Sequence, residues 1–368
     1  MGESWDVIVI GGGIAGISVA ARLAATRRTL VIEAERQPGY HATGRSAAYF
    51  APAYGNDVVR AVTAESESFF HSPPAGFSDA PLIRRRASLF VAGAGRSSGI
   101  DSMLASNTAL ERVDGDGARQ IVGCLKPNCV AAGAFDPGGG DLDVDALLQA
   151  FLRLFRKRGG ELRCGTPCES IARSGDSWQV NGTLSASVVV NAAGAWADEV
   201  ATRAGIAPMG LTPMRRTACL LPAPDIPFTD WPLVIDVDEQ FYFKPDAGAL
   251  LLSPADETPS PPCDAAPEEL DIAIAVDRAI QVAALDVSRI THKWAGLRTF
   301  APDRTFVVGF DPTCDGFFWL AGQGGYGVQT APGLSDIAAR MITGQGELVS
   351  AERCDALREK LSPARFRA

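Results

Sequence analysis

Histidine is scarce in this 368-residue chain: His41, His71 and His292 are the only three. The eight cysteines (Cys124, Cys129, Cys164, Cys168, Cys219, Cys263, Cys314 and Cys354) include no C-x-x-C pair. That leaves no ligand set for zinc and no cluster for an iron–sulfur centre. No basic n-region precedes the first apolar run, so no secretory leader is expected. Free thiols and a cytoplasmic location follow as expectations. No apolar stretch approaches the roughly 20 residues of a membrane span. No basic tail offsets the net charge of −9, which argues against a nucleic-acid partner. Internal repeats and low-complexity tracts are also missing. What remains is a globular composition, 46% hydrophobic and 21% charged, long enough for two domains or one large one.

The informative stretch is residues 5–33. An apolar run from Trp5 to Ile10 suits a buried parallel strand. It meets a glycine loop, Gly11 to Gly16, and then a helical pattern from Ile17 to Ala25. A second strand, Thr29 to Ile32, ends on Glu33. This is the dinucleotide-binding βαβ pattern. Gly11 allows the tight turn, Gly13 lets a pyrophosphate approach the backbone, and Gly16 permits close helix–strand packing. The helix N-terminus offers free N–H groups to phosphate, and Glu33 stands where a carboxylate accepts from ribose hydroxyls. NAD and FAD share this pattern.

Along the rest of the chain, Asn56 caps a helix running to His71 and stopped by Pro73-Pro74. Leu82 to Val91 reads as a strand, residues 93–117 as surface with one weak helix, and Ala131 to Phe135 as a strand. Asp145 to Lys157 is strongly amphipathic. It could lie on a membrane, but a crossover helix fits better because a strand pattern, Glu161 to Cys164, follows at once. Residues 171–190 read as an antiparallel flap and a returning central strand. Residues 205–290 turn to short strands, prolines and aromatics, with a helical pattern from Leu270 to Leu285. Strands at Arg304 to Gly309 and Phe317 to Ala321 precede a closing helix, Val328 to Ile342.

Three motifs narrow the class: Thr43-Gly44-Arg45-Ser46 after the second strand, Val190 to Trp196, and Ala321 to Gln329. In that order the chain resembles the D-amino-acid oxidase/glycine oxidase superfamily of FAD enzymes. The resemblance implies an α/β fold. A Rossmann-type FAD-binding domain on a parallel sheet (residues 1–52, 134–203 and 291–368) would join a second, antiparallel-sheet α+β substrate domain (53–133 and 204–290). It implies FAD contacts at Gly11, Gly13, Ile14, Ala15, Gly16, Glu33, Ala34, Thr43, Gly44, Arg45, Ser46 and Ala48. Further contacts would come from Cys168 (through its backbone), Ala193, Gly194, Trp196, Gly324, Gly325, Tyr326 and Gly327. Relatives that bind flavin covalently use a cysteine near Trp294 to Arg298; none lies there, so FAD is expected to be non-covalent.

The same resemblance implies oxidation of an amino acid, with hydride passing from the α-carbon to the flavin. Arginine is the natural carboxylate clamp because its planar fork binds two oxygens. Arg215 and Arg298 are the candidates, and Arg216 is taken as structural. Tyr242 would reach the same carboxylate, Tyr54 would act as a mobile lid, and the Gly325 carbonyl would hold the amine. Tyr49, Ala51, Ser88 and Gln329 would border the pocket. Within the superfamily the chain is most similar to bacterial D-arginine dehydrogenases, which are broad D-amino-acid dehydrogenases. It matches them at Tyr40 to Ala48, Phe241 to Gly248 and Trp294 to Arg298. Their glutamate for cationic side chains falls on Ser88, a loss of roughly 1.5–3 kcal/mol of charge-assisted bonding. Apolar or aromatic D-amino acids, or another amine acid, are the expected substrates. Alternatives are secondary amino acids (sarcosine, glycine derivatives or D-proline) and a flavoprotein subunit of a heteromeric dehydrogenase. Dioxygen or a quinone would accept the electrons, and a monomer or small homo-oligomer is expected.

Overall fold

The computed structural model describes residues 2–106 and 109–367. Two of the surface residues expected in the 93–117 stretch, 107 and 108, lie outside it. The described residues build two large sheets and a small three-stranded one. In the first large sheet Glu3–Ile10 lies between Leu184–Asn191 and Thr29–Ile32, parallel to both. Glu161–Arg163 extends it in parallel beyond Thr29–Ile32, and Phe317–Ala321 pairs in parallel with Leu184–Asn191. The flap strands Ile171–Ser174 and Ser177–Val180 attach antiparallel at one end. Every residue of Thr29–Ile32 is buried, as its continuous apolar run requires when helices and flap cover both faces.

Helix Ile14–Leu23 starts three residues earlier than its apolar pattern indicates. Gly13 supplies an extended N-cap, and the Ile14 N–H is taken up by Thr43 Oγ1 at 3.0 Å, so the turn tightens at once after the glycines. Helix Val144–Lys157 buries Leu147, Leu148, Phe151 and Phe155, and Asp143 caps it by accepting from Ala146 N. It is the crossover helix, because the strand it feeds joins Thr29–Ile32 in parallel.

In the second large sheet all pairings are antiparallel except one: Leu233–Asp236 runs parallel to Ser88–Ala92. Near one edge, Thr212–Leu221 is flanked by Ala249–Ser253 and, over nine residue pairs, by His292–Phe300. Register therefore puts His292–Phe300 in this sheet, not with the FAD-binding segments that begin at 291 in the sequence division. Helix Asp57–His71, assigned by sequence to the substrate unit, packs instead on Gly327–Thr343. There Gly333 leaves room for Ser66, whose Oγ accepts from Gly333 N at 2.9 Å. The single strand expected over Leu82–Val91 divides into Ile83–Arg85 and Ser88–Ala92, which lie in different sheets. The break is at Arg86, whose buried guanidinium binds the Asp141 carboxylate and the carbonyls of Thr229 and Trp231.

The two faces of the second sheet differ. Cys219, Leu221, Phe241, Phe243, Leu250 and Leu252 pack under helix Glu269–Val282 through Ile272, Ala275 and Ala279. Directly opposed residues in an antiparallel sheet share a face. Ala218 opposes Trp294, Arg216 opposes Gly296, Met214 opposes Arg298, and Tyr242 opposes Ser253. These residues face away from that helix.

Candidate active site

A cavity of about 440 Å³ runs between the two sheets. One end is built by the glycine loop. Glu33, at the carboxyl end of Thr29–Ile32, accepts from Gly12 N with one oxygen and from Glu35 N (2.8 Å) with the other. Gly11 needs a left-handed backbone (φ +107°), and a Cβ on Gly16 would lie 1.9 Å from the Gly11 carbonyl. Gly194 (φ +55°) lines the cavity and would point a Cβ into open space, so its lack of a side chain leaves the passage free. Farther along, His41 binds Glu35 (2.9 Å) and packs on Trp196, the rings 4.6 Å apart. Burial pushes the Cys168 thiol up to about 11, so it stays neutral, and its carbonyl accepts from Arg203. A long, glycine-walled cleft over a helix N-terminus fits a dinucleotide.

The other end is cationic. Arg298 lies in the wall with its guanidinium against the backbone of Gly325, where a Cβ would come within 2.8 Å of Cζ and Nη1. Its Nη1 is buried and has no hydrogen-bond partner. Burial works against this charge, but the hydroxyls of Tyr54, Tyr242 and Tyr326 more than offset it and hold the pKa above the usual arginine value. Tyr242 lines the same wall. The Tyr54 ring lies 5.0 Å from Tyr326, and its hydroxyl donates to Glu239 (3.3 Å). Arg216 also faces the cavity, but it donates to the Asp256 carbonyl (2.8 Å) and to Glu257 (3.2 Å).

The family model for FAD dependent oxidoreductase (DAO) matches residues 6–341. The chain belongs to that family. The cofactor of this cavity is therefore FAD. Among curated proteins, FAD-dependent oxidoreductase domain-containing protein 1 of Xenopus laevis is 28% identical over 190 residues, 45% of this chain and 36% of that protein. Human mitochondrial dimethylglycine dehydrogenase is 29% identical over 136 residues, 35% of this chain and 16% of that enzyme. The matched part thus spans about a third or less of these relatives' lengths. Among solved structures, L-proline dehydrogenase from P. horikoshii superposes with a TM-score of 0.83 at 22% identity, covering 100% of this chain and 99% of that one. Glycine oxidase from Geobacillus kaustophilus gives 0.84 at 19%, covering 99% of each. At these identities the superpositions establish the fold alone.

Most residues expected to hold FAD line the cavity: Gly11, Gly13, Ile14, Ala15, Glu33, Ala34, Thr43, Arg45, Ser46, Cys168, Ala193, Gly194, Trp196, Gly324, Gly325 and Gly327. Gly16, Gly44, Ala48 and Tyr326 stand outside the wall. A Cβ on Gly44 would meet the Gly39 carbonyl at 2.7 Å, so this glycine serves loop packing. Tyr326 is buried among Tyr54, Phe300 and Phe306.

The expected substrate residues need larger corrections. Arg215 points to the opposite face of the sheet, where it pairs with Asp271 (2.9 Å) and Glu268 at the start of helix Glu269–Val282. Arg216, set aside as structural, is the one in the cavity wall. Tyr49, Ala51, Tyr54, Ser88 and Gln329 do not line the cavity either. The Tyr49 hydroxyl donates to the Arg86 carbonyl (2.8 Å). Gln329 clasps both the N–H and carbonyl of Ala51 and reaches Thr63, which fixes the segment before Tyr54. Ser88 is buried in its strand. Sequence reasoning missed His41, Arg216, Cys263 and Ala265. His41 lay inside the Tyr40–Ala48 motif already recognised, whereas Cys263 and Ala265 arrive through a long-range approach with no local signal.

Proposed function

We propose that this protein oxidises D-amino acids with FAD, giving an imino acid that hydrolyses to a 2-oxo acid and ammonia. The observation that carries the reading is Arg298: a buried, unpartnered guanidinium nitrogen in the wall of a flavin cavity needs an anion. A substrate carboxylate supplies one and gains a charge-assisted pair. Tyr242 adds a hydroxyl on the same face. Arg216 is the second cation of the wall, partly neutralised by Glu257, and replaces Arg215 in the clamp. The Gly325 carbonyl would accept from the substrate amine, fixing the α-carbon between two anchors. Tyr54, kept neutral because burial raises its pKa, stands outside the cavity wall against Tyr326 and Glu239, and as a lid it would have to move to exclude water. When bound, the flavin supplies the hydride acceptor.

A secondary-amine reading draws support from the match to dimethylglycine dehydrogenase, and Arg298 would serve its carboxylate equally well. Because Ser88 lies outside the cavity wall, the argument it gave against cationic side chains no longer applies. Dioxygen or a quinone is the proposed acceptor. Anaerobic mixing with pools of D-amino acids, L-amino acids and N-methyl glycines, read as bleaching of the flavin, tests these readings. Bleaching by the D-pool alone is expected. Bleaching confined to L-amino acids or N-methyl glycines overturns the D-amino-acid reading, and admitting air then shows whether dioxygen reoxidises the flavin.

A further inference from the structure

We propose that residues 256–268 are a strap closing the dinucleotide cavity, and that the Arg45–Asp264 ion pair is its clasp and sets how fast FAD leaves. The inference is independent of which amine is oxidised. After Ala249–Ser253 the chain pairs once more with the antiparallel sheet at Thr258–Pro259, opposite Arg215 and Met214, then crosses to the dinucleotide-binding unit and returns at helix Glu269–Val282. At the far point of this excursion Cys263 and Ala265 become part of the cavity wall. Arg45, on the loop that follows the second parallel strand, pairs with the Asp264 carboxylate and donates to the Ala265 carbonyl at 2.8 Å. Tyr40 donates to the same carboxylate at 3.1 Å.

The strap is fastened differently at its ends and at its centre. At one end Asp256 accepts from Thr217, and Glu257 is held by Arg304 (2.8 and 3.0 Å) and Arg216. Ser260 N still reaches the Pro213 carbonyl (3.0 Å), and Glu268 at the other end binds Arg215. Among the described residues, however, no backbone–backbone hydrogen bond ties 261–267 to either unit. The centre is held by Arg45, by Tyr40 and by the packing of Ala265 on Ala195, Ala295 and Leu297. It can therefore lift without breaking a sheet, the property expected of a segment that opens locally. Asp264 is 60% exposed, so salt reaches its ion pair.

An exposed pair of this kind contributes enough to change an escape rate roughly two- to fivefold. The measurement is the appearance of free-FAD fluorescence after dilution of the holoprotein, at low salt and at about 0.5 M salt. The wild type is expected to release FAD two- to fivefold faster in high salt. Asp264→Asn should release it at the faster rate already at low salt and show little further response, with Tyr40→Phe in between. Wild-type rate and wild-type salt response in Asp264→Asn would overturn the proposal. Limited proteolysis of the unaltered protein gives a second measurement: cleavage within 261–267 should be faster in apoprotein than in holoprotein, and equal rates would also overturn it.

Discussion

Replacing Arg298 with methionine separates its two effects. The substitution keeps an unbranched, flexible stem and removes the charge and every donor. Against substrate, the loss is a charge-assisted bond to a carboxylate, about 1.5–3 kcal/mol, or roughly a 10- to 150-fold fall in kcat/KM. Because a carboxylate changes little between ground and transition states, most of that fall should appear in KM. Against unfolding, the sign is opposite. Nη1 is buried without a partner, so the wild type bears the desolvation cost of that donor until substrate arrives. The ligand-free Arg298→Met variant should be at least as stable as wild type, by up to about 1 kcal/mol. Stopped-flow flavin bleaching gives the kinetic half, and denaturant unfolding without substrate the other. Arg215→Gln is the matched control: it breaks the pairs to Glu268 and Asp271, so it should lose stability and hold kcat/KM within about twofold. If Arg215→Gln abolishes turnover while Arg298→Met leaves kcat/KM within about threefold of wild type, the assignment of the anchor is wrong.

Gly325→Ala places a Cβ 2.8 Å from the Arg298 guanidinium, which must move; KM should rise on the order of ten- to a hundredfold in the flavin-loaded enzyme, and an unchanged KM would contradict the contact. Acid precipitation should leave the flavin in the supernatant, as expected of non-covalent FAD; flavin that stays on the pellet and is freed by Cys263→Ser would refute this, since Cys263 lines the cavity. Burial pushes Tyr326 up to about 12, whereas an unfolded tyrosine ionises near 10. The unfolded chain is therefore favoured first as pH rises, and roughly 2–3 kcal/mol of stability should be lost between about pH 10 and 12. Tyr326→Phe should lower the slope of alkaline unfolding curves, leaving the share of the other buried tyrosines; an unchanged slope would refute the assignment.

The parts legible in the sequence were those whose information is local. Strand, glycines, helix and second strand lie within residues 5–33, and Gly16 answers a steric demand five residues away, at the Gly11 carbonyl. Tyr242 was placed correctly against Phe241 and Phe243 because alternation along one strand needs no partner: the phenylalanines pack under helix Glu269–Val282, and the tyrosine lines the cavity. Between Arg215 and Arg216 the same alternation was silent. Both faces of Thr212–Leu221 are largely covered, so hydropathy does not distinguish them. The choice depends on register with a strand some 80 residues away. Arg216 opposes Gly296 and Met214 opposes Arg298, so residues of even number on both strands share the cavity face. A slip of one residue would bring Arg215 beside Arg298 and send Arg216 to the acidic end of the helix. The pairing actually formed places Arg215 where Glu268 and Asp271 await a cation, and it sets the glycine at 296 opposite Arg216, where a Cβ would lie 3.3 Å from the Cβ of Arg45. Register thus decides which charge serves the fold and which faces the flavin cavity.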